Sequence, residues 1–236
     1  MKFLISAAGT GGHVFPALEF AHQCQSQEHE IMWMGTKSGL ENKLVSEQNI
    51  EFITLPMIGF RGKGVIKKIQ SLLGLVFSTI KALIFIIHHK INYIVCFGGY
   101  ITLPVGIAAI LCGKPLILHE QNTIMGTSNK LLARFARIIF LGLPLRFPLN
   151  KRESKNIEIV GNPIRNVKII QDYTKDNLDI IRIYITGGSL GSDFINRKIP
   201  QAINSLNIPI EIKHQSGAGK SEGIESLYSL SHLLGL

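Results

Sequence analysis

The run Ala8-Gly9-Thr10-Gly11-Gly12-His13 brings together residue types that serve ligand chemistry at close spacing. Glycine lets a backbone adopt positive φ and come near a ligand. A helix that starts there adds unpaired N–H groups and the positive end of a dipole, which suits a phosphate or a transition state gaining negative charge. His13 stands at the mouth of the run, where an imidazole can exchange a proton with a bound substrate. The glycine spacing departs from G-x-G-x-x-G, and no Lys-Ser or Lys-Thr follows, so neither a dinucleotide fingerprint nor a Walker loop is present. Three more runs carry the same kind of chemistry: Gly98-Gly99-Tyr100, His119-Glu120-Gln121-Asn122, and Gly187-Gly188-Ser189-Leu190-Gly191-Ser192. Four consecutive polar side chains from His119 to Asn122 suit a hydroxylated ligand, although Asn122 is also placed to cap a helix beginning at Ser128.

The elements that must position these residues alternate. Short apolar runs at 2–6, 31–34, 52–55, 93–97, 116–118 and 138–141 read as strands. Helical patterns at 15–25, 40–46, 65–89 and 102–111 separate them. Pro16 and Pro104 fit first turns of helices, where a missing N–H costs nothing. Strands separated by helices imply right-handed βαβ units, a parallel sheet and helices on both faces. Ligands of such sheets bind outside the carboxyl ends of the strands, where the first three runs fall. After a polar stretch at 172–179, a strand at 181–185, the third glycine loop, a helix at 194–206 and a strand at 208–213 repeat the layout. A last helical stretch runs to the end.

The chain has 236 residues and is 46% hydrophobic, enough for real cores. Its net charge of +9 favours anionic partners of some kind. The basic residues are spread along the chain without interleaved aromatics, which argues against nucleic acid. Cys24, Cys96 and Cys112 lack metal-ligand spacing and read as buried free thiols, in keeping with a reducing cytoplasm. The N-terminus runs straight into a strand, which is not the pattern of a signal peptide.

The segment 65–89 is apolar on more than one face. Ile66, Ile69, Leu72, Leu73, Val76, Ile80, Leu83, Ile84 and Ile87 recur at helical spacing and read as the core face. Leu75, Phe77, Phe85 and Ile86 make the other face apolar too. Its cleanest run is shorter than the ~20 residues of a span and carries Lys81, so a buried or interfacial helix is expected. With Arg61, Lys63, Lys67, Lys68, Lys81 and Lys90 around it, the surplus apolar face suits docking on anionic lipid.

With these stretches in place, the chain resembles the MurG family, bacterial glycosyltransferases that add N-acetylglucosamine to the lipid-linked muramoyl-pentapeptide precursor of peptidoglycan. The matching residues are Gly9-Thr10-Gly11-Gly12-His13 with Pro16-Ala17-Leu18, Phe97-Gly98-Gly99-Tyr100, His119-Glu120-Gln121-Asn122, Gly161-Asn162-Pro163-Ile164-Arg165, Gly187-Gly188-Ser189-Leu190-Gly191 and His214-Gln215-Ser216-Gly217. They occur in family order along almost the whole chain. The resemblance implies an α/β fold of the GT-B type, two Rossmann-like domains with parallel sheets facing a cleft. Residues 1–160 would form the N-terminal acceptor and membrane-docking domain, and 161–236 part of a C-terminal donor-binding domain. It implies an inverting transfer from UDP-N-acetylglucosamine to the lipid-linked acceptor, at the cytoplasmic face of the bacterial inner membrane, by a peripheral enzyme.

Residue by residue, Thr10, Gly11 and Gly12 resemble the loop that contacts the donor, and Asn122 a donor-contacting asparagine. Arg165 resembles a donor-binding arginine, and Ser189 a residue that binds the diphosphate. His13 is the first choice for the general base and Glu120 the second. No Asp-x-Asp pair stands at a plausible metal position, so neither metal nor cofactor is expected, and phosphate charge would be met by dipoles and Arg165. Ala8 replaces a more usual glycine, and Leu190 a more usual glutamine. In the family the second domain continues through segments that hold the nucleoside and sugar, which are not among these residues. A membrane-docked remnant that binds lipid-linked acceptor without turnover is the alternative reading. A nucleotide-sugar epimerase of the same fold is disfavoured by the His-Glu-Gln-Asn and Gly-Asn-Pro motifs.

Overall fold

The structure, a computed structural model, describes residues 1–57, 65–149, 156–164, 181–188, 191–206, 208 and 210–228, with the backbone alone for 65–69. Arg61, Lys63, the 172–179 stretch, Arg165, Ser189, Leu190 and the expected final helix beyond 228 lie outside these residues. The chain divides into two compact units, Met1–Val167 and Lys168–Leu236. The Gly161-Asn162-Pro163 turn therefore belongs to the first.

The first unit is a seven-stranded sheet whose strands all pair in parallel. In chain order they are β1 (Lys2–Ala7), β2 (Glu30–Gly35), β3 (Glu51–Thr54), β4 (Tyr93–Gly98), β5 (Leu116–Glu120), β6 (Ile138–Leu141) and β7 (Ile157–Ile159). Their spatial order is 3-2-1-4-5-6-7, so the direction of winding reverses between β1 and β4. The helices are α1 (Gly11–Ser26), α2 (Leu40–Ser46), α3 (Val65–His88), α4 (Thr102–Leu111) and α5 (Thr127–Leu132). The central strands are buried on both faces, as a parallel sheet covered by helices requires. One core joins β1, β4, β5 and β6 to α3, α4 and α5, and includes Leu4, Ile94, Leu118 and Val105. The other joins β1, β2 and β4 to α1 and includes Ile5, Trp33, Phe97 and Ala17.

The second unit contains β8 (Ile181–Thr186), α6 (Asp193–Asn204) and β9 (Ile210–Gln215), with β8 and β9 parallel and in register from Ile181↔Ile210 to Thr186↔Gln215. Ile185, Ile203, Ile210, Ile212, Ile224 and Tyr228 form its core. Ser192 caps α6, its Oγ accepting from the Ile195 N–H. The fold class is thus α/β, with a parallel sheet in each unit.

Several local expectations are corrected. α1 begins at Gly11, not near Phe15, so Gly11, Gly12 and His13 form its first turn. Pro16 consequently sits inside the helix, where it removes the N–H that would bond the Gly12 carbonyl. Glycine-rich sequence is a poor helix former alone, but here the buried Val14, Ala17, Leu18 and Ala21 pin the helix to the sheet. The N-cap of α5 is Gly126, so Asn122 is free of that duty.

The face assignment of α3 is reversed for most residues, although Leu83 packs on the core and Phe77 is exposed, as expected. Ile86 is fully buried, and Leu75 and Phe85 pack against the core. Leu72, Leu73, Val76, Ile80, Ile84 and Ile87 are exposed, together with Phe77 at 61%. Small residues take the inner stripe: Ser71, Ser78 and Ala82 are buried, and a Cβ on Gly74 would lie 3.1 Å from the Pro56 carbonyl oxygen. Close approach of the backbone decided the helix phase, so the large side chains were turned outward.

Candidate functional site

The site begins where β1 ends. A register shift between Ser6 and Ala7 bends the strand end, bringing Ala7 opposite Gly98 of β4. The buried Trp33 ring donates its Nε1–H to the Ala7 carbonyl at 3.3 Å, and the Ala8 N–H donates to the Gly98 carbonyl at 3.3 Å. Two glycines make this closeness possible. A Cβ on Gly98 (φ +114°) would lie 2.9 Å from both Cε1 and Nδ1 of His13, and one on Gly99 (φ +89°) would overlap the Ala8 carbonyl. The carboxyl ends of β1, β4 and β5 are neighbours, so the runs at 8–13, 98–100 and 119–122 share one sheet edge, at the point where the winding reverses.

Thr10 is the N-cap of α1, but its side chain makes no capping bond. Its carbonyl accepts from the N–H groups of His13 and Val14 at 3.1 and 3.2 Å, whereas those of Gly11 and Gly12 bond no described residue. They remain at the positive end of the helix dipole. Gly9 is different. Its N–H donates to Oε2 of the fully buried Glu41 at 3.4 Å, and Glu41 Oε1 accepts from the Thr36 N–H and hydroxyl at 2.9 and 2.6 Å. A carboxylate thus shapes the loop from beneath, and the N–H groups left for a ligand are those of the first helical turn.

The His-Glu-Gln-Asn run straddles the end of β5, with His119 and Glu120 inside the strand. His119, Glu120 and Gln121 are buried, while Asn122 is exposed. Glu120 accepts four hydrogen bonds. Oε1 takes the Asn122 N–H and Nδ2 at 3.1 and 3.0 Å, and Oε2 takes the Gly126 N–H and Asn129 Nδ2 at 2.9 and 3.1 Å. This carboxylate is occupied in holding the loop that follows it, and it orients Asn122 so that the amide oxygen is left for a ligand. His119 stacks on Phe97, ring centroids 5.1 Å apart, and its Nε2 lies 3.1 Å from the Gly161 carbonyl. Burial pushes the His119 imidazole below its ordinary value, against weaker opposing effects from that carbonyl and from Glu120. Gln121 bridges, with Nε2 at 3.0 Å from His119 Nδ1 and Oε1 at 2.8 Å from His13 Nδ1.

Of the residues singled out from sequence, Thr10, Gly11, Gly12, His13, Glu120 and Asn122 lie at this sheet edge, with His13 tied to the His-Glu-Gln-Asn run through Gln121. Arg165 and Ser189 lie outside the described residues. Gln121, His119 and Gly98 were read from sequence only as members of their runs and Asn162 as part of a family motif, and Glu41 was given no role. The signal for the first three was their place in glycine and polar runs at strand ends. Glu41, inside a short helix, gave none.

In the second unit the described part of the glycine loop has Gly188 and Gly191 at positive φ, and a Cβ on Gly191 would overlap the Ser216 carbonyl. Behind it His214 is buried between Tyr228 (Nδ1 to Oη, 2.8 Å) and Asn196 (Nε2 to Oδ1, 3.1 Å), and Asn196 donates to the Ser216 carbonyl at 3.0 Å. This network fixes the His-Gln-Ser-Gly segment against the start of α6.

The N-terminal domain of glycosyltransferase family 28 matches residues 3–141. The UDP-N-acetylglucosamine–N-acetylmuramyl-(pentapeptide) pyrophosphoryl-undecaprenol N-acetylglucosamine transferase of Acinetobacter baumannii is 36% identical over 233 residues, covering 96% of this chain and 63% of the relative. The Histophilus somni protein of the same name is 35% identical over 231 residues, again covering 96% and 63%. The chain therefore spans somewhat less than two thirds of these curated relatives. The crystal structure of Acinetobacter baumannii MurG superimposes with a TM-score of 0.78 at 34% identity, over 100% of this chain and 67% of that one. The glycosyltransferase of kitacinnamycin, at 9% identity and a TM-score of 0.69, shares the fold alone. By the domain that fills most of its first unit, this chain belongs to glycosyltransferase family 28.

Proposed function

We propose that this chain takes part in transferring N-acetylglucosamine from UDP-N-acetylglucosamine to a lipid-linked muramoyl-pentapeptide. Its first unit receives the acceptor and supplies the general base. The observation that carries this reading is the place of His13. Its ring is half-buried in the first turn of α1, beside open N–H groups, at the strand-order reversal where ligands of such sheets bind. The acceptor hydroxyl gives its proton to His13 as its oxygen attacks the anomeric carbon. The bond from that carbon to the diphosphate breaks on the opposite face, and UDP departs with the electron pair, so configuration inverts. Asn122 contacts the donor through its open amide oxygen, with Thr10, Gly11 and Gly12 nearby. Arg165 and Ser189 are assigned to the donor by resemblance. Glu120 serves as the residue that holds Asn122 in place.

The acceptor carries a lipid, so the enzyme must work at a bilayer surface. By length and composition Gln70–His88 of α3 could cross a membrane. However, its inner stripe packs on the core, and Lys81 donates to the Thr54 carbonyl at 2.7 Å. The outward face from Leu72 to Ile87 supports peripheral docking on an anionic surface, the cytoplasmic face of the bacterial inner membrane.

The test is transfer of labelled sugar from UDP-N-acetylglucosamine to lipid-linked acceptor in anionic vesicles. Labelled lipid is expected, with His13→Ala lowering the rate by about 10²–10⁴-fold, the usual contribution of a general base. An undiminished rate in His13→Ala overturns the assignment of the base. Acceptor binding without product would favour the non-catalytic alternative.

A further inference from the structure

We propose that His119 and Gln121 are positioning residues that hold His13 in the tautomer with hydrogen on Nδ1, leaving Nε2 as the open base; this rests on the reading of His13 as the acceptor's base. The chain of contacts runs from the Gly161 carbonyl through His119 and Gln121 to His13. Its direction is dictated at one end. A backbone carbonyl only accepts, so the His119 nitrogen facing it at 3.1 Å, Nε2, carries a hydrogen. Burial disfavours the charged ring, so His119 is neutral and Nδ1 has a lone pair.

That lone pair accepts from Gln121 Nε2 at 3.0 Å, and the same NH₂ group donates to the His119 carbonyl at 3.3 Å. Both amide hydrogens are thereby matched. Turning the amide over would set its oxygen against a lone pair and a carbonyl, losing both bonds. Gln121 Oε1 must then face His13 Nδ1 at 2.8 Å, and an amide oxygen only accepts, so Nδ1 of His13 is the donor. No described residue bonds His13 Nε2. A histidine side chain in water prefers its hydrogen on Nε2, so the network inverts the ordinary preference and frees that nitrogen.

The surroundings keep each link in register. Gly161 is at φ +83°, a conformation that suits glycine, and this aims its carbonyl at His119. Asn162 Nδ2 donates to the Gln121 carbonyl at 3.4 Å, and Phe97 stacks on the His119 ring at an interplanar angle of 30°. The Gly-Asn turn, far along the chain, thus sets the proton position of a residue in α1.

The experiment is nitrogen NMR of the whole chain with ¹⁵N-labelled histidine rings, at a pH where the rings are neutral. The expected His13 pattern is a protonated Nδ1 and an unprotonated Nε2. Gln121→Ala should move the hydrogen largely to Nε2. His119→Ala, which leaves both His13 and Gln121 intact, should shift it the same way. The His119→Ala variant also covers a folding failure of Gln121→Ala. A native His13 protonated on Nε2, or a ring pattern unmoved by Gln121→Ala and His119→Ala, overturns the proposal.

In the transfer assay Gln121→Ala should lower kcat at least about ten-fold with little change in KM. A base role wrongly given to His13 would show separately: His13→Ala would transfer at the native rate while the ring pattern and its response to Gln121→Ala stayed as described.

Discussion

Replacing Glu120 by alanine tests whether this carboxylate is a structural acceptor or a base. Four N–H groups converge on it, from Asn122 (two), Gly126 and Asn129. The two on exposed Asn122 can turn to water. So can the one on exposed Gly126. The one on buried Asn129 sets the loss, at about 1–3 kcal/mol for a donor left without its partner. In urea, with a slope of about 1–3 kcal/mol per molar, 2 kcal/mol moves the unfolding midpoint down by roughly 0.7–2 M. Glu120→Gln should cost less. The Asn129 Oδ1 atom is buried without a hydrogen-bond partner, and a turned Asn129 amide could accept from the new NH₂. Transfer should fall in both variants in step with the release of Asn122. An unchanged midpoint in Glu120→Ala would refute the structural role, and full stability with abolished transfer in Glu120→Gln would return Glu120 to the position of base.

Gly98→Ala places a methyl 2.9 Å from the His13 ring at a φ of +114°; it should cost about 1–3 kcal/mol and displace the imidazole, and a native melting temperature with native transfer would contradict this. Burial holds His119 and His214 below the ordinary histidine value of 6.5, so the unfolded chain protonates first. Stability is complete above pH 6.5 and should decline as the pH falls below it, seen as a falling urea midpoint in each unit; a midpoint that rises on acidification would refute it. Changing Lys63, Lys67 and Lys68 to Glu should weaken co-sedimentation with anionic vesicles by at least roughly 100-fold, from about 1 kcal/mol per basic residue lost, and salt should weaken it in the native protein. Phe77→Asp with Ile80→Asp should weaken it further, and equal binding to neutral and anionic vesicles, unaffected by salt, would defeat the docking.

What the sequence by itself determined was local in origin. Short apolar runs alternating with helical patterns specify a parallel sheet, because the two periods are written within a few residues of each other. Glycine after a strand marks the carboxyl edge, and the α2, α4 and β6 boundaries coincide with those read from the chain. The motifs that mark the family fall at these edges for the same reason. Three things needed the tertiary structure. The phase of α3 was ambiguous because both its faces are apolar; backbone contact through Ser71, Gly74, Ser78 and Ala82 chose the inner one. Glu120 reads as an acid in a polar run, and only the loop folding back over it supplies four donors. The tie from His13 to Gln121 crosses 108 positions of sequence, and the one from His119 to Gly161 crosses 42. Spacing carries no record of such pairs, since adjacency of β1, β4 and β5 in the sheet is what brings them within hydrogen-bond distance.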